Sequence, residues 1–135
     1  MNLSESLKSK NIRPSIQRLR ILDYLHSQKN HPTVDTIYEA LHPEIPTLSR
    51  TTVYNTLQTF QKCHLVSALD FGDGSIHYDA DTFPHIHFKC QECNAIHDVF
   101  VVPEDIQKHL EKGTILTSSQ FYAFGICAKC AKKSR

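Results

Sequence analysis

Six side chains that can bind metal ions lie within fifteen consecutive residues of this chain. They belong to the segment "PHIHFKCQECNAIHD", which runs from Pro84 to Asp98. Its candidate ligands are His85, His87, Cys90, Cys93, His97 and Asp98. Thiolates favour soft ions and zinc, whereas imidazole and carboxylate groups suit iron, manganese or zinc. The mixture raises the question of whether the segment serves one metal ion or two.

The thiolates belong to two Cys-x-x-Cys pairs, which together use four of the five cysteines. The pairs are Cys90 with Cys93, and Cys127 with Cys130. Four thiolates complete the tetrahedral coordination of Zn(II) and leave no open position, so the pattern predicts a structural zinc site. Two metal-free dithiols or two disulfides are the alternative. We expect each pair to form a turn after a strand, with Asn94 in the left-handed conformation.

The N-terminal segment bears on the redox state of these cysteines. Its sequence "MNLSESLKSK" lacks the apolar core of a signal peptide, and no stretch of the chain is long and apolar enough to span a membrane. We therefore expect a cytoplasmic protein without a membrane partner, in which thiols stay reduced and metal binding is favoured over disulfides. The unpaired Cys63 is expected to be a small apolar filler.

The histidines of the segment follow the alternation of a β-strand. Side chains point to opposite faces in turn, so His85 and His87 share one face, while Ile86 and Phe88 share the other, which we expect to face the core. Cys90 has the opposite parity from both histidines. This parity indicates two separate metal sites.

Carboxylates that could complete a nitrogen and oxygen site lie on both sides of these histidines. Asp79 precedes His85 by six residues, and Asp98 follows His87 by eleven. Asp81 is an alternative to Asp79. His31 stands at a helix start in the first half of the chain, so a site that included it would tie the two halves together and make their arrangement depend on metal.

The elements that must position these residues begin with three helical patterns in the first half. They are "RPSIQRLRILDYLHSQK", with Ile16, Leu19, Leu22 and Leu25 on one stripe, "HPTVDTIYEALHP", capped by Thr33, and "TLSRTTVYNTLQTFQKC", capped by Ser49. A hairpin around Gly72-Asp73-Gly74 follows. Three helices followed by a hairpin are typical of a winged helix-turn-helix.

The sequence of the second half predicts mostly β-strands. The segments "HIHFKC", "IHDVFVV" and "GTILTSSQFYAFGIC" predict three strands, and a helix is expected from Pro103 to Lys112. The resulting prediction is an α+β protein with a winged-helix domain over residues 1–79, a hinge over 80–84, and a small α/β domain with the four-cysteine zinc site over 85–135.

The charge of the chain gives only a local indication of nucleic-acid binding. The formal net charge is +1. However, five basic residues fall within thirteen positions that contain no acidic residue. They are Lys8, Lys10, Arg13, Arg18 and Arg20. On charge alone, this cluster is best explained as a solvated helix face. In a DNA-binding protein, the same cluster would add salt-dependent contacts with phosphates.

Four motifs resemble those of the ferric-uptake-regulator (Fur) family of metal-dependent bacterial repressors. They are "HPTVDTIY", "SRTTVYNTL", "HIHFKCQEC" and "FGICAKC", and the resemblance extends over nearly the whole chain. It is strongest to the peroxide-sensing, PerR-like branch, because Asp98 stands where iron-uptake sensors usually have Glu and Asn55 stands where they usually have Arg. Ser119 occupies the region where many relatives have a further ligand His, so we expect no third metal site.

The resemblance implies a homodimeric repressor, not an enzyme, whose 85–135 domain dimerises and which binds a palindromic double-stranded DNA operator. It implies structural Zn(II) and regulatory Fe(II) or Mn(II). The regulatory ligands would be His31, Asp79, His85, His87 and Asp98. Peroxide would be sensed by Fe(II)-catalysed oxidation of His31 or His85, followed by metal loss and release of DNA.

The third predicted helix would enter the major groove of DNA. Val53, Leu57 and Phe60 face the expected core, which leaves the opposite face for contacts with bases and phosphates. The expected DNA-binding residues are Ser49, Arg50, Thr51, Tyr54 and Asn55.

Two alternatives remain open at this stage. The first is an iron- or manganese-responsive repressor of the same family without oxidation chemistry. The second is a small non-heme metalloenzyme, since His42-Pro-Glu44 upstream of Cys90 loosely resembles a zinc deaminase signature. Against the enzyme, Lys89 stands where that signature needs Pro, and the second Cys-x-x-Cys pair would have no purpose.

Overall fold

A computed structural model describes residues 2–81, 85–101 and 106–133 of the chain. The chain divides into two compact units, Met1–Thr82 and Phe83–Arg135. Helices and sheets occur together, which confirms the predicted α+β class. Residues 82–84 of the hinge assigned to 80–84 lie outside the described residues, so the domain boundaries stay a prediction. Within the described ranges, no helix has the length and apolar character to cross a membrane.

The first unit contains four helices, each begun by a capping side chain. They are α1 (Leu3–Ser9), α2 (Ile16–Ser27), α3 (Val34–Leu41) and α4 (Arg50–Lys62). The side chains that accept a hydrogen bond from a backbone N–H in the first turn are those of Asn2, Ser15, Thr33 and Ser49. The predicted caps Thr33 and Ser49 are thus confirmed. Helix α1 was not predicted.

The predicted hairpin follows α4. Strands β1 (Ser67–Asp70) and β2 (Ile76–Asp79) pair antiparallel, and Ser67 lies opposite Asp79. Gly72 and Gly74 have φ angles of 82° and 84°, a region in which a side chain would be strained. The two glycines therefore allow the tight reversal that joins the strands.

The core of the first unit lies between its helices and β2. Its largest fully buried side chains include Leu7, Ile21, Leu22, Ile37, Leu41, Val53, Leu57, Phe60 and Tyr78. The predicted stripe of α2 was wrong at Ile16, which is 74% exposed. Steps of three residues lag behind the helical turn by about 60° each, so Ile16 points away from the direction of Leu25. Ile21 takes its place in the core.

The second unit is built on a three-stranded sheet with the order β4-β3-β5. The strands are β3 (Ile86–Cys90), β4 (Ile96–Val99) and β5 (Phe121–Gly125), and β3 pairs antiparallel with β4 and parallel with β5. A 3-10 helix covers Ile106–His109, and α5 covers Ala128–Lys133.

Three expectations for this unit differ from the structure. Of the helix predicted from Pro103 to Lys112, the described part is helical only at Ile106–His109; residues 103–105 lie outside the described residues. The strand predicted from Gly113 is regular only from Phe121 onward. Finally, the histidine face of β3 is the more buried one, with His85 and His87 buried and Ile86 and Phe88 only partly buried. The expected core side of that strand was therefore wrong.

Candidate metal centres

The parallel pairing of β3 with β5 brings the two Cys-x-x-Cys pairs together. Cys90, the last residue of β3, lies opposite Gly125, the last residue of β5, so both strands end at the same edge of the sheet. The N–H of Gln91 donates to the carbonyl of Gly125 at 2.7 Å and fixes this junction. A Cβ atom at Gly125 would lie 3.2 Å from the ring of Phe88, so the ring would have to shift by a few tenths of an ångström.

The turn after β3 has the geometry of a thiolate site. Asn94 has a φ angle of 63°, which confirms the predicted left-handed turn, and its N–H donates to the carbonyl of Cys90. The second pair differs from the prediction, because Cys130 lies inside α5 rather than in a turn. The N–H of Ala131 donates to the carbonyl of Cys127, so Cys127 stands at the start of this helix.

The four sulfur atoms form one cluster. All lie within 4.8 Å of one another, and the Sγ atoms of Cys93 and Cys127 are 3.8 Å apart. Four sulfurs bound to a tetrahedral Zn(II) at about 2.3 Å would be separated by about 3.8 Å. A disulfide would need about 2 Å, and none of these cysteines is in a disulfide.

The protonation of the cluster shows why it needs a cation. The backbone N–H groups of Cys93 and Cys127 donate to the Sγ of Cys90 and lower the pKa of its thiol to about 6. The hydrogen bond with Cys127, together with burial, raises the pKa of the Cys130 thiol to about 12. Four thiolates therefore do not coexist at neutral pH without a compensating positive charge. The four-cysteine site fits structural zinc, which would hold the end of β5 and the start of α5 against β3.

In the first unit, the structure places His31 beside Asp79. Both side chains are buried, and the Nε2 atom of His31 lies 3.7 Å from the Oδ2 atom of Asp79. This distance is longer than a hydrogen bond, yet less than twice a typical metal–ligand distance of about 2.1 Å. The other carboxylate oxygen, Oδ1, accepts the N–H of Asp81 at 2.8 Å. The backbone of Asp81 thus orients the carboxylate of Asp79.

In the second unit, two histidines converge on one carboxylate. The Oδ1 atom of Asp98 lies 3.5 Å from the Nε2 of His85 and 3.7 Å from the Nε2 of His87. The rings of the two histidines are 4.3 Å apart, as expected for neighbours on one strand face. His97 lies opposite Phe88 on the other face of the sheet, near its ring and away from Asp98.

The donors in both units suit Fe(II) or Mn(II), because imidazole and carboxylate groups bind these ions better than they bind soft metal ions.

The sequence analysis missed one residue on the histidine face of β3. Lys89 shares the parity of His85 and His87 and is buried as they are. The strand alternation that places His85 and His87 on one face also places Lys89 there, so this residue could have been predicted from the sequence.

The residues that suggested a deaminase are engaged elsewhere in the first unit. The ring of His42 stacks on Tyr38 at 4.9 Å, and Glu44 pairs with the guanidinium of Arg20 at 3.1 Å. Cys63 caps the C-terminus of α4, where its thiol donates to the carbonyl of Thr59 at 3.4 Å. Cys63 is partly buried among apolar side chains of the core.

The outer face of α4 presents the residues predicted to contact DNA. Ser49, Arg50, Thr51, Tyr54 and Asn55 are all exposed. The Nε of Arg50 donates to the Oδ1 of Asp35 at 2.7 Å, and its guanidinium lies 4.3 Å from the centre of the Tyr38 ring. The hydrogen bond with Asp35 raises the pKa of Arg50 above its usual range. These contacts hold the arginine in place, and no residue that the structure describes bonds its two terminal nitrogens, which can therefore contact a ligand.

A polar cleft of about 560 Å³ lies between the start of α2 and α4. Its lining includes Arg13 and Arg18 from one side and Thr52 and Asn55 from the other, and no acidic residue of the described chain lines it. The Nη1 of Arg18 donates to the backbone carbonyl of Arg13 at 2.8 Å, which holds the side chain of Arg18 beside the backbone of Arg13. The cleft is suited to an anion.

Comparisons with known proteins match this chain to one family and to similar proteins of that family. Residues 9–124 match the ferric uptake regulator family. The peroxide-responsive repressor PerR of Staphylococcus aureus strain Mu50 is 37% identical over 133 residues, which cover 95% of this chain and 88% of that protein.

Solved structures of similar proteins include two peroxide regulators. The peroxide stress regulator of Campylobacter jejuni is similar with a TM-score of 0.70 and 31% identity, covering 96% of this chain and 100% of that one. PerR from Streptococcus pyogenes, described as sensing peroxide and regulating genes, is similar with a TM-score of 0.56 and 31% identity, covering 96% and 90%.

Proposed function

Since this chain belongs to the ferric uptake regulator family, we propose that it is a metal-dependent transcriptional repressor that responds to peroxide. It acts in the cytoplasm as a homodimer on a palindromic operator, and it is not an enzyme. The observation that carries the proposal is the presence of two chemically distinct donor sets in one small chain. One consists of four thiolates, and the other contains only imidazole and carboxylate groups.

The regulatory site is proposed to use donors from both units. His31 and Asp79 come from the first unit, and His85, His87 and Asp98 come from the second. In each unit, an imidazole nitrogen lies within 3.7 Å of a carboxylate oxygen, a spacing at which the two atoms can bind the same ion. An ion bound by both units restricts their relative orientation, so DNA affinity depends on metal occupancy.

Binding to DNA is proposed to use the outer face of α4. Asn55 and Arg50 have the side chains that pair with adenine and guanine edges, and Tyr54 can pack on a thymine methyl group. The cleft beside α4 would take a backbone phosphate, since Arg13 and Arg18 provide its positive charge. A twofold dimer presents two such faces to the two halves of a palindrome.

Peroxide is proposed to act on a ligand histidine. Fe(II), when bound, supplies the reductive cleavage of peroxide. In the net reaction, the O–O bond of hydrogen peroxide breaks and one oxygen forms a bond with an imidazole carbon of His31 or His85. The hydrogen of that carbon leaves with the other oxygen as water, so the ring loses two electrons and peroxide gains them. The oxygenated ring donates its nitrogen lone pair less well, so its hold on the metal weakens. His31 belongs to the first unit, and its loss as a ligand would free that unit from the second.

The experiment compares protein loaded with Fe(II), with Mn(II) and with zinc alone. An operator is first selected from random DNA duplexes with the Mn(II)-loaded protein, and binding is then measured before and after peroxide. We expect Fe(II) and Mn(II) to support binding and zinc alone not to. Peroxide should abolish binding only with Fe(II), and peptide mass spectrometry should find one added oxygen on His31 or His85.

The outcomes separate this proposal from its nearest rival. The same donors bind Mn(II), so an iron- or manganese-responsive repressor without oxidation chemistry is the second candidate. Loss of binding with no added oxygen on any histidine, or no effect of peroxide, would favour that candidate. Operator binding by the zinc-only protein at full affinity would contradict both.

A further inference from the structure

The backbone of His31 adopts a conformation that its sequence does not favour. Its φ angle is 52°, in the left-handed region that non-glycine residues rarely occupy. The following residue is Pro32, whose ring further restricts the residue before it. A strained backbone of this kind persists only where neighbouring groups hold it in place.

Two hydrogen bonds from strand β2 hold this segment. The ring nitrogen Nδ1 of His77 lies 2.8 Å from the carbonyl oxygen of His31. Because a carbonyl can only accept, Nδ1 carries the hydrogen and donates it. The N–H of Tyr78 donates to the carbonyl of Pro32 at 2.9 Å. The next residue of the strand is Asp79, whose carboxylate faces the imidazole of His31.

We infer that His77 is a positioning residue for the metal ligand His31. This inference rests on the proposed function, in which His31 and Asp79 bind the regulatory ion. The same short strand carries Asp79 and the groups that fix the backbone of His31. The bond from His77 therefore sets the separation of the two donors before metal arrives, which reduces the ordering that binding must impose.

Apart from this hydrogen bond, the side chain of His77 contributes little to the packing of the fold. The pairing of β1 with β2 at Leu69 and His77 uses backbone groups. His77 is only partly buried and does not belong to the apolar core, whereas its neighbour Tyr78 does. The ring of Phe71 meets His77 edge-on at 6.1 Å. Removing the imidazole should thus loosen His31 without unfolding the unit.

Amide side chains provide a test of this geometry. The Nδ2 of asparagine occupies the same position along the side chain as the Nδ1 of histidine, whereas the Nε2 of glutamine lies one bond further out. His77→Asn can restore the hydrogen bond to His31, and His77→Gln cannot. His77→Leu removes the donor. His26→Leu, at an exposed position of α2, is the matched control.

The experiment measures Mn(II) affinity of the zinc-loaded full chain, using the electron paramagnetic resonance signal of free Mn(II). Zinc content and the thermal midpoint without Mn(II) are measured on the same samples. We expect His77→Leu and His77→Gln to weaken Mn(II) binding about 10- to 100-fold. His77→Asn and His26→Leu should bind within about threefold of the unchanged protein, and all four should keep zinc and a similar midpoint.

His31→Ala separates the failure of this inference from the failure of the proposed function. If His31→Ala binds Mn(II) as tightly as the unchanged protein, the proposed function is wrong. If His31→Ala loses binding but His77→Leu and His77→Gln retain it, the positioning role is wrong. A loss that His77→Asn fails to restore also overturns it. If His77→Leu lowers the thermal midpoint, the two amide variants, both polar, decide between positioning and general stability.

Discussion

Asp98 lies directly opposite His87 across strands β3 and β4, and its Oδ1 atom is 3.7 Å from the Nε2 of that histidine. The same oxygen is 3.5 Å from the Nε2 of His85. One carboxylate oxygen of β4 therefore lies near both imidazole nitrogens of the second unit.

Replacing Asp98 with alanine is expected to weaken Mn(II) binding more than any other single change in the second unit. The substitution removes the oxygen on which both imidazoles converge, and we expect a loss of at least about 100-fold in affinity, with unchanged zinc content. Isothermal titration with Mn(II) and elemental analysis of zinc measure the two effects. Glu111→Ala, at an exposed position of the same unit, is the control. Equal affinity in both variants would exclude Asp98 as a ligand.

Zinc uptake by the metal-free protein is expected to strengthen as pH rises. The pKa of the Cys130 thiol is about 12, so this thiol keeps its proton near neutrality and must lose it when zinc binds. The Cys90 thiol, with a pKa of about 6, has already lost most of its proton at pH 7.5. Because at least one proton leaves on binding, affinity should rise at least about tenfold per pH unit between pH 7 and 9. Competition with a zinc chelator at several pH values measures this slope, and a flat profile would contradict it.

Arg50→Ala is expected to weaken operator binding by at least about tenfold, because no described residue bonds the terminal nitrogens of Arg50, which can therefore contact a base or phosphate. Arg50→Lys should not restore binding, since an ammonium group cannot reproduce the fork that Asp35 and Tyr38 hold in place. Fluorescence anisotropy with a labelled operator measures both variants. Lys62→Ala, at the far end of α4, should bind normally. A full-strength Arg50→Ala complex would remove this residue from the interface.

Two substitutions on α4 should separate stability from DNA binding. Leu57 is fully buried in the core, and Leu57→Ala is expected to lower the free energy of unfolding of the first unit by about 2–5 kcal/mol. Tyr54 is exposed on the opposite face, so Tyr54→Ala should change stability little and weaken operator binding. Chemical denaturation and anisotropy distinguish the two effects. The reverse pattern would mean that α4 is oriented differently.

Much of this arrangement could be predicted from short-range patterns. The caps Thr33 and Ser49, the glycine hairpin and the left-handed Asn94 each follow from local chemistry. The four-cysteine cluster followed from spacing alone, and the resemblance to the ferric uptake regulator family is confirmed.

Other features depend on contacts that no short pattern contains. Helix α1 has only seven residues and one fully buried anchor, Leu7, so its periodicity is too brief to recognise. The spacing of Cys127 and Cys130 fits a turn as well as the helix that the structure shows. The bond from His77 to His31 spans 46 residues and depends on how β2 packs beside the loop before α3. The sequence alone could not place either residue in that contact.

The parallel pairing of β3 with β5 also governs the order in which this chain can fold. The hairpin of β3 and β4 can form as soon as its residues are made, but the other edge of β3 stays open until β5 arrives. Thirty or so residues separate the two cysteine pairs, so the pairing of β3 with β5 closes a longer loop than the hairpin does and costs more chain entropy. Zinc captured early by Cys90 and Cys93 would be only half coordinated and open to exchange. Only a chain in which β5 has paired with β3 can therefore hold zinc with all four thiolates.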